Sequence, residues 1–300
     1  MKEAFIEKRF SRQSKAIIEA ANTIIGEYQA QGYSLTLRQL YYQFVSRDII
    51  QNNMKEYKRL GSVVNNARLA GLIDWAAIED RDRQLNTWLH YANPAQALER
   101  LKRQYRINLW ARQPYYIEVW VEKTALIGVV ERVCSEWRVP YLACKGYASQ
   151  SALYDAGKRF ALKANEGKQC LMLHLGDHDP SGLDMTRDNR VRAEMFSNLG
   201  YGTDELEVVR LALNMEQVEE YDPPPNPAKD TDTRSSEYKA EHGESSWELD
   251  ALEPSVIRDL ISEAIDARVD RDIWEADEER ENAETDQLQG YVDEAKKGLK

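Results

Sequence analysis

The sequence predicts an α/β protein in two parts, a helical domain over residues 1–112 and a parallel-sheet domain over residues 113–300. Three observations predict it. Apolar residues recur at helical spacing in three successive segments before residue 72. From residue 115, aromatic and β-branched runs alternate with helical-period segments, the texture of a parallel sheet covered on both faces. The charge also divides: residues 1–112 hold 18 Lys+Arg against 11 Asp+Glu, a net of +7, whereas residues 113–300 hold 22 against 40, a net of −18. A basic module that can meet phosphates is thus joined to an acidic one that attracts something positive.

In the N-terminal part, Ile17, Ile18, Ala21, Ile24, Ile25 and Tyr28 form one apolar face of a helix over residues 13–30, and Gly32 is its stop signal. Thr36 is placed to cap a second helix through LRQLYYQFVSR. After a polar break, EYKRLGSVVNNARLAG reads as a third helix closed by Gly71. LIDWAAIEDRDR then reads as a short strand or turn carrying Arg81 and Arg83. Three helices and a basic-tipped extended piece fit the winged-helix form of the helix-turn-helix. A plain helical bundle fits the same periodicity. On the winged-helix reading the third helix presents Lys58, Arg59, Asn65, Asn66 and Arg68 to DNA, a mixture suited to phosphates and base edges. A linking helix, PAQALERLKRQYRINLW, leads into the second part.

There, YYIEVWVEK reads as a strand, TALIGVVERVCSEW as a helix, VPYLACKGY as a strand, SALYDAGKRFALKAN as a helix and QCLMLHLGD as a strand. After MTRDNRVRAEMFSNLG comes LEVVRLAL, a strand again. Residues 221–246 are rich in Pro, Ser and charge and read as an excursion or flexible loop. WELDALEPSVIRDLISEAI resumes helical texture. From Arg271 to Asp286 eight of sixteen residues are acidic, as on an exposed helix or tail.

No apolar run approaches the roughly 20 residues that cross a bilayer, and MKEAFIEKRFSRQ lacks the apolar stretch of a secretory signal. Cys134, Cys144 and Cys170 lie far apart in apolar surroundings, as reduced core cysteines do. A cytoplasmic protein without a membrane partner is the expectation.

The chemistry concentrates at strand ends. In a parallel α/β sheet, functional groups collect beyond the carboxyl ends of the strands. Glu122 follows IEVWV, and Asp177 and Asp179 follow CLMLHL, so all three are expected at one edge. Carboxylates gathered there repel unless a cation neutralises them. All-oxygen ligands favour Mg²⁺, which takes one or two carboxylates plus substrate phosphate. Gly176, Gly182 and Pro180 shape the turn between. Alternatively, DHDPSG is simply a strand-ending turn, where these residue types are common. His174 and His178 stand four apart, but on a strand and turn rather than a helix, which removes zinc-ligand register.

VWVEK, KGYASQSALYD and GDHDPSGLDM, in this order and separation, resemble the Toprim fold of the topoisomerase VI A subunit and the related meiotic double-strand-break transesterase. The resemblance covers roughly residues 30–210 and implies a winged-helix domain, then a Toprim domain with a helical C-terminal extension. It implies Mg²⁺ on Glu122, Asp177 and Asp179, and it makes RQLYY the place of the catalytic tyrosine, with Tyr42 as nucleophile and Arg38 as its electrostatic helper. The family's acid after the arginine is Gln39 here, and the compact length is similar to the phage- or plasmid-borne Mini-A proteins. A phenol has a pKa near 10 and needs a nearby cation or base to attack; Arg38, four residues earlier, shares its helical face.

The implied activity is cleavage of double-stranded DNA through a phosphotyrosyl link. It implies a homodimer in which one protomer's tyrosine meets the other's metal site, and a nucleoid-associated protein. Lys123, beside Glu122, joins the expected DNA contacts. No GxxxxGK[ST] loop is present, so strand passage would need a separate ATPase (B-type) subunit. A Toprim nuclease using water and a non-catalytic DNA-binding protein are the rival readings.

Overall fold

The computed structural model describes residues 2–78, 88–198, 206–228 and 232–297. Three helices open the chain: α1 (Arg12–Ala30), α2 (Leu37–Ser46) and α3 (Met54–Leu69). Each begins at a side-chain cap, Ser11, Thr36 and Asn53, whose oxygen accepts an otherwise unpaired first-turn N–H. Gln39, in place of an acid, completes a capping box by accepting from the Thr36 backbone N–H at 2.9 Å. The apolar face of α1 meets Leu40, Tyr41, Tyr42 and Phe44 of α2 and Leu60 and Val64 of α3 in one buried core. LIDWAA forms a 3₁₀ turn over Trp75–Ala77, and Ile78 bridges in parallel to Leu35. Arg81 and Arg83 lie outside the described residues.

After α4 (Pro94–Gln104) come β1 (Tyr115–Val121), α5 (Ile127–Trp137), β2 (Tyr141–Ala143), α6 (Gln150–Asn165), β3 (Gln169–Leu175), α7 (Pro180–Ser197) and β4 (Leu206–Ala212). The strands form a parallel sheet in the order β2-β1-β3-β4, with Val121 opposite Leu175. The expected α/β fold with a parallel sheet is observed. Side chains alternate across the sheet. Ile117, Val119, Val121, Leu171, Leu173 and Leu175 face α5 and α10 (Pro254–Asp266), whereas Trp120, Cys170 and Met172 face α6 and α7. The three cysteines are free, and two are buried.

The C-terminal part adds detail to the expectations. The described residues of 221–246, expected as an excursion or flexible loop, carry short elements of their own. They follow α8 (Met215–Tyr221) and contain β5 (Asn226–Pro227), α9 (Ser235–His242) and β6 (Ser245–Ser246), with β5 and β6 paired antiparallel. Tyr238 holds this segment down: it is buried, and its hydroxyl lies 2.9 Å from His178 O and 3.0 Å from Ser245 O. The acidic stretch after Arg271, expected as an exposed helix or tail, is the helix α11 (Arg271–Lys297), mostly exposed but with one stripe packed. Trp274 is buried among the core residues, buried Asp277 accepts from Arg112 Nε at 3.1 Å, and buried Glu281 accepts from Arg138 Nη2 at 2.7 Å. Arg112 of the linking region and Arg138, which follows α5, therefore meet two of these acids.

Candidate functional site

Parallel pairing of β1 and β3 brings their carboxyl ends side by side. The Glu122 N–H donates to Leu175 O at 2.9 Å, and the Asp177 N–H donates to Glu122 Oε2 at 3.0 Å. Glu122 and the aspartates therefore share one sheet edge, as their positions after two strands require. Asp179 caps α7, its Oδ1 accepting from the Gly182 N–H at 2.7 Å. The turn between is tight: a Cβ on Gly182 would lie 2.1 Å from Asp177 O.

Arg210, on β4, fixes this turn from below. Its guanidinium donates to Gly176 O at 3.1 Å, Asp177 O at 2.6 Å, Gly182 O at 2.9 Å and Thr186 Oγ1 at 2.9 Å. Burial lowers its pKa to about 10, against the pull of Glu122, Asp177 and Asp179. Thr186 also pairs with His174 Nδ1 at 2.8 Å, while His178 Nδ1 pairs with the Tyr238 hydroxyl at 2.9 Å. Burial holds His174 down to about 3 and His178 to about 4, so both rings are neutral at neutral pH.

The C-terminal segment completes the edge. Trp247 pairs with His178 in a short antiparallel bridge, and the 3₁₀ turn Leu249–Ala251 follows. The Leu249 N–H donates to Asp177 Oδ1 at 2.8 Å. This delivers Glu248 and Asp250 beside Asp177. One carboxylate oxygen from each of Asp177, Glu248 and Asp250 lies within 4.8 Å of the others, the cluster of metal-ligand type among the described residues. Of the expected trio, only Asp177 belongs to it.

Two cations of the same chain lie against these acids. Lys123 Nζ is 2.8 Å from Asp177 Oδ1 and 2.9 Å from Asp250 Oδ1, and it also bonds Glu248. Arg38, on α2, donates from Nε to Asp250 Oδ2 at 2.7 Å and from Nη2 to Glu248. Its Nη2 lies 3.5 Å from the Tyr42 hydroxyl, and its guanidinium sits 5.6 Å from the Tyr42 ring centroid. Tyr42, Arg38, Glu248, Asp250, Lys123 and Asp177 thus form one continuous polar network within a single chain.

The charges follow from burial and neighbours. Burial raises the Tyr42 phenol, with Asp250 and Glu248 adding to the effect and Arg38 and Lys123 opposing it. Burial raises Asp177 to about 7 despite Lys123, with Glu122, Asp250 and Glu248 contributing. Burial also raises Glu122. Glu248 goes the other way, down to about 2, because Lys123 and Arg38 outweigh its burial.

The donor set fits a hard divalent cation: three carboxylates, all oxygen, one of them costly to ionise without a positive neighbour. It holds no sulfur or imidazole ligand that would favour zinc.

The expected DNA contacts divide. Lys58 and Asn65 are exposed on α3. Arg59 pairs with Glu56 at 3.1 Å, and Asn66 accepts from Lys8 Nζ at 2.6 Å. Arg68 lies 4.6 Å from the Trp75 ring centroid and donates to Trp75 O at 2.9 Å, which makes it part of the fold. Lys123 faces the acids described above. Glu248, Asp250 and Arg210 were not singled out from sequence. The acid-x-acid pattern of WELDAL, repeating that of DHD, is the signal that was there to read. No protein-family model, curated protein or solved structure matches this chain.

Proposed function

We propose that this chain is a Mg²⁺-dependent DNA transesterase, a winged-helix and Toprim protein of the kind its motifs resemble. The observation that carries the reading is the network joining Tyr42 through Arg38 to the acid cluster at the sheet edge. Tyr42 gives up its phenolic proton to water and attacks a backbone phosphorus; a Tyr42 Oη–P bond forms, the bond from phosphorus to one sugar oxygen breaks, and that oxygen takes up a proton from water. Arg38 is placed to stabilise the phenolate or the charge growing on the phosphate oxygens. Asp177, Glu248 and Asp250 would hold Mg²⁺, with Glu122 and Asp179 beside them. When bound, the ion supplies an electrostatic clamp on phosphate and leaving oxygen. Lys58 and Asn65 on α3 extend the DNA-facing surface.

In the proposed arrangement tyrosine and acids serve one chain, and a homodimer would bring two such sites to a duplex. The test is incubation with supercoiled plasmid and Mg²⁺, followed by denaturation. Wild type leaves protein covalently bound to DNA ends, and Tyr42→Phe leaves none; undiminished adducts in the variant refute Tyr42 as nucleophile.

One observation favours a second reading, a metal-dependent nuclease in which water attacks. Tyr42 is only 4% exposed and its phenol is pushed up by burial. On that reading Tyr42→Phe still cuts, without adducts, and Asp177→Asn does not cut.

A further inference from the structure

The acid cluster is closed by the chain's own cations. Lys123 bonds all three of its members, and Arg38 bonds two. The two side chains come from opposite parts of the molecule: Lys123 follows β1, whereas Arg38 projects from α2 in the N-terminal helical part. The contact is therefore both a charge-neutralising one and a mechanical one, fastening α2 to the sheet edge. Asp250 is the pivot, with its carboxylate fully enclosed and shared between Arg38 on Oδ2 and Lys123 on Oδ1.

The carboxylate oxygens of Asp177, Glu248 and Asp250 that a divalent ion would need are already occupied by Lys123 and Arg38. Like charges a few ångströms apart repel by several kcal/mol at the dielectric of a protein surface. An ion seated among these oxygens therefore weakens both side-chain contacts, and linkage makes the antagonism reciprocal.

We infer that Lys123 and Arg38 form a latch that a divalent cation opens: ion and latch compete for Asp177, Glu248 and Asp250, so that ion binding loosens α2 and uncovers Tyr42. This rests on the metal site of the proposed function. Other contacts limit the movement to a local one. Ala251 stays in the N-terminal core, Tyr28 bonds Glu253, and Arg132 Nη1 donates to Gly32 O at 3.1 Å. Arg38, once released from Asp250 and Glu248, is free to meet a DNA phosphate beside Tyr42. Tyr42 is in this way shielded until the ion that assists its chemistry has arrived.

The test uses full-length protein with Mg²⁺ as the probe and two readouts other than cleavage. Calorimetric titration compares wild type with Lys123→Gln, which removes one competitor and is expected to bind Mg²⁺ about tenfold more tightly, a coupling of ordinary size. Hydrogen exchange on wild type alone follows the amides of α2, expected to exchange about tenfold faster in Mg²⁺ than in KCl of equal ionic strength. The second readout decides the matter even if the variant does not fold. Equal Mg²⁺ affinities, or α2 amides that Mg²⁺ leaves unchanged or protects, overturn the latch while the metal site stands. If folded wild type and variant both fail to bind Mg²⁺, the metal site falls and the latch with it.

Discussion

Replacing Asp177 with Asn is expected to stabilise the protein in the absence of metal while abolishing its affinity for Mg²⁺. Asn retains the Oδ1 acceptor for the Leu249 N–H, now 2.8 Å away, and loses the negative charge that faces Lys123. Asp177 is 7% exposed, and its pKa rises from an ordinary 3.8 to about 7, chiefly by burial. Because the folded value lies above the ordinary one, the associated stability is fully present below about pH 3.8 and is lost as pH rises through about 7. At about 1.4 kcal/mol per pH unit, that gap costs the folded wild type roughly 4 kcal/mol above about pH 8 and roughly 2 kcal/mol near pH 5. Urea unfolding in EDTA at several pH values should therefore show Asp177→Asn gaining on wild type as pH rises, by about 4 kcal/mol at most. Mg²⁺ should then raise the stability of wild type and leave the variant unchanged. A variant less stable than wild type at alkaline pH in EDTA would refute the reasoning, because Lys123 would then be neutralising Asp177 in full.

Two further substitutions separate fold from function. Arg68→Ala should lower stability by about 1–2 kcal/mol through loss of the Trp75 stacking and hydrogen bond, and fluorescence anisotropy should find DNA affinity unchanged; Lys58→Ala should do the reverse, reducing the salt slope of DNA binding by about one. Gly182→Ala forces a methyl group to within 2.1 Å of Asp177 O, so the turn must open, with Mg²⁺ affinity lost in calorimetry and a stability cost of several kcal/mol, about 2–4.

Much of this architecture could be read in the chain. The strands declared themselves because both faces of the sheet are buried, so IEVWV and CLMLHL are almost continuously apolar. Placing Glu122 and Asp177 at one edge needed only the rule that parallel strands end together. The N-terminal helices were equally legible, since Ser11, Thr36 and Asn53 cap them locally. What could not be read were contacts of long sequence separation. Glu248 and Asp250 reach Asp177 only because Trp247 bridges to His178 and Tyr238 pins α9 beneath it. PPPNP and the serines hid an ordered segment, because composition records local preference and not the tertiary partner that overrides it. Within α11, whose acids are mostly exposed as expected, Asp277 and Glu281 could not be told from the rest until Arg112 and Arg138 are placed opposite them. Lys123, chosen for phosphate, was likewise read without the acids that hold it.

Crystals soaked in Mn²⁺ and measured at its absorption edge test the site most directly. An anomalous peak bonded to carboxylate oxygens of Asp177, Glu248 and Asp250, with Lys123 Nζ moved off Asp177, is the predicted result. A peak elsewhere, or crystals in which Lys123 keeps its three carboxylates at saturating Mn²⁺, would contradict it.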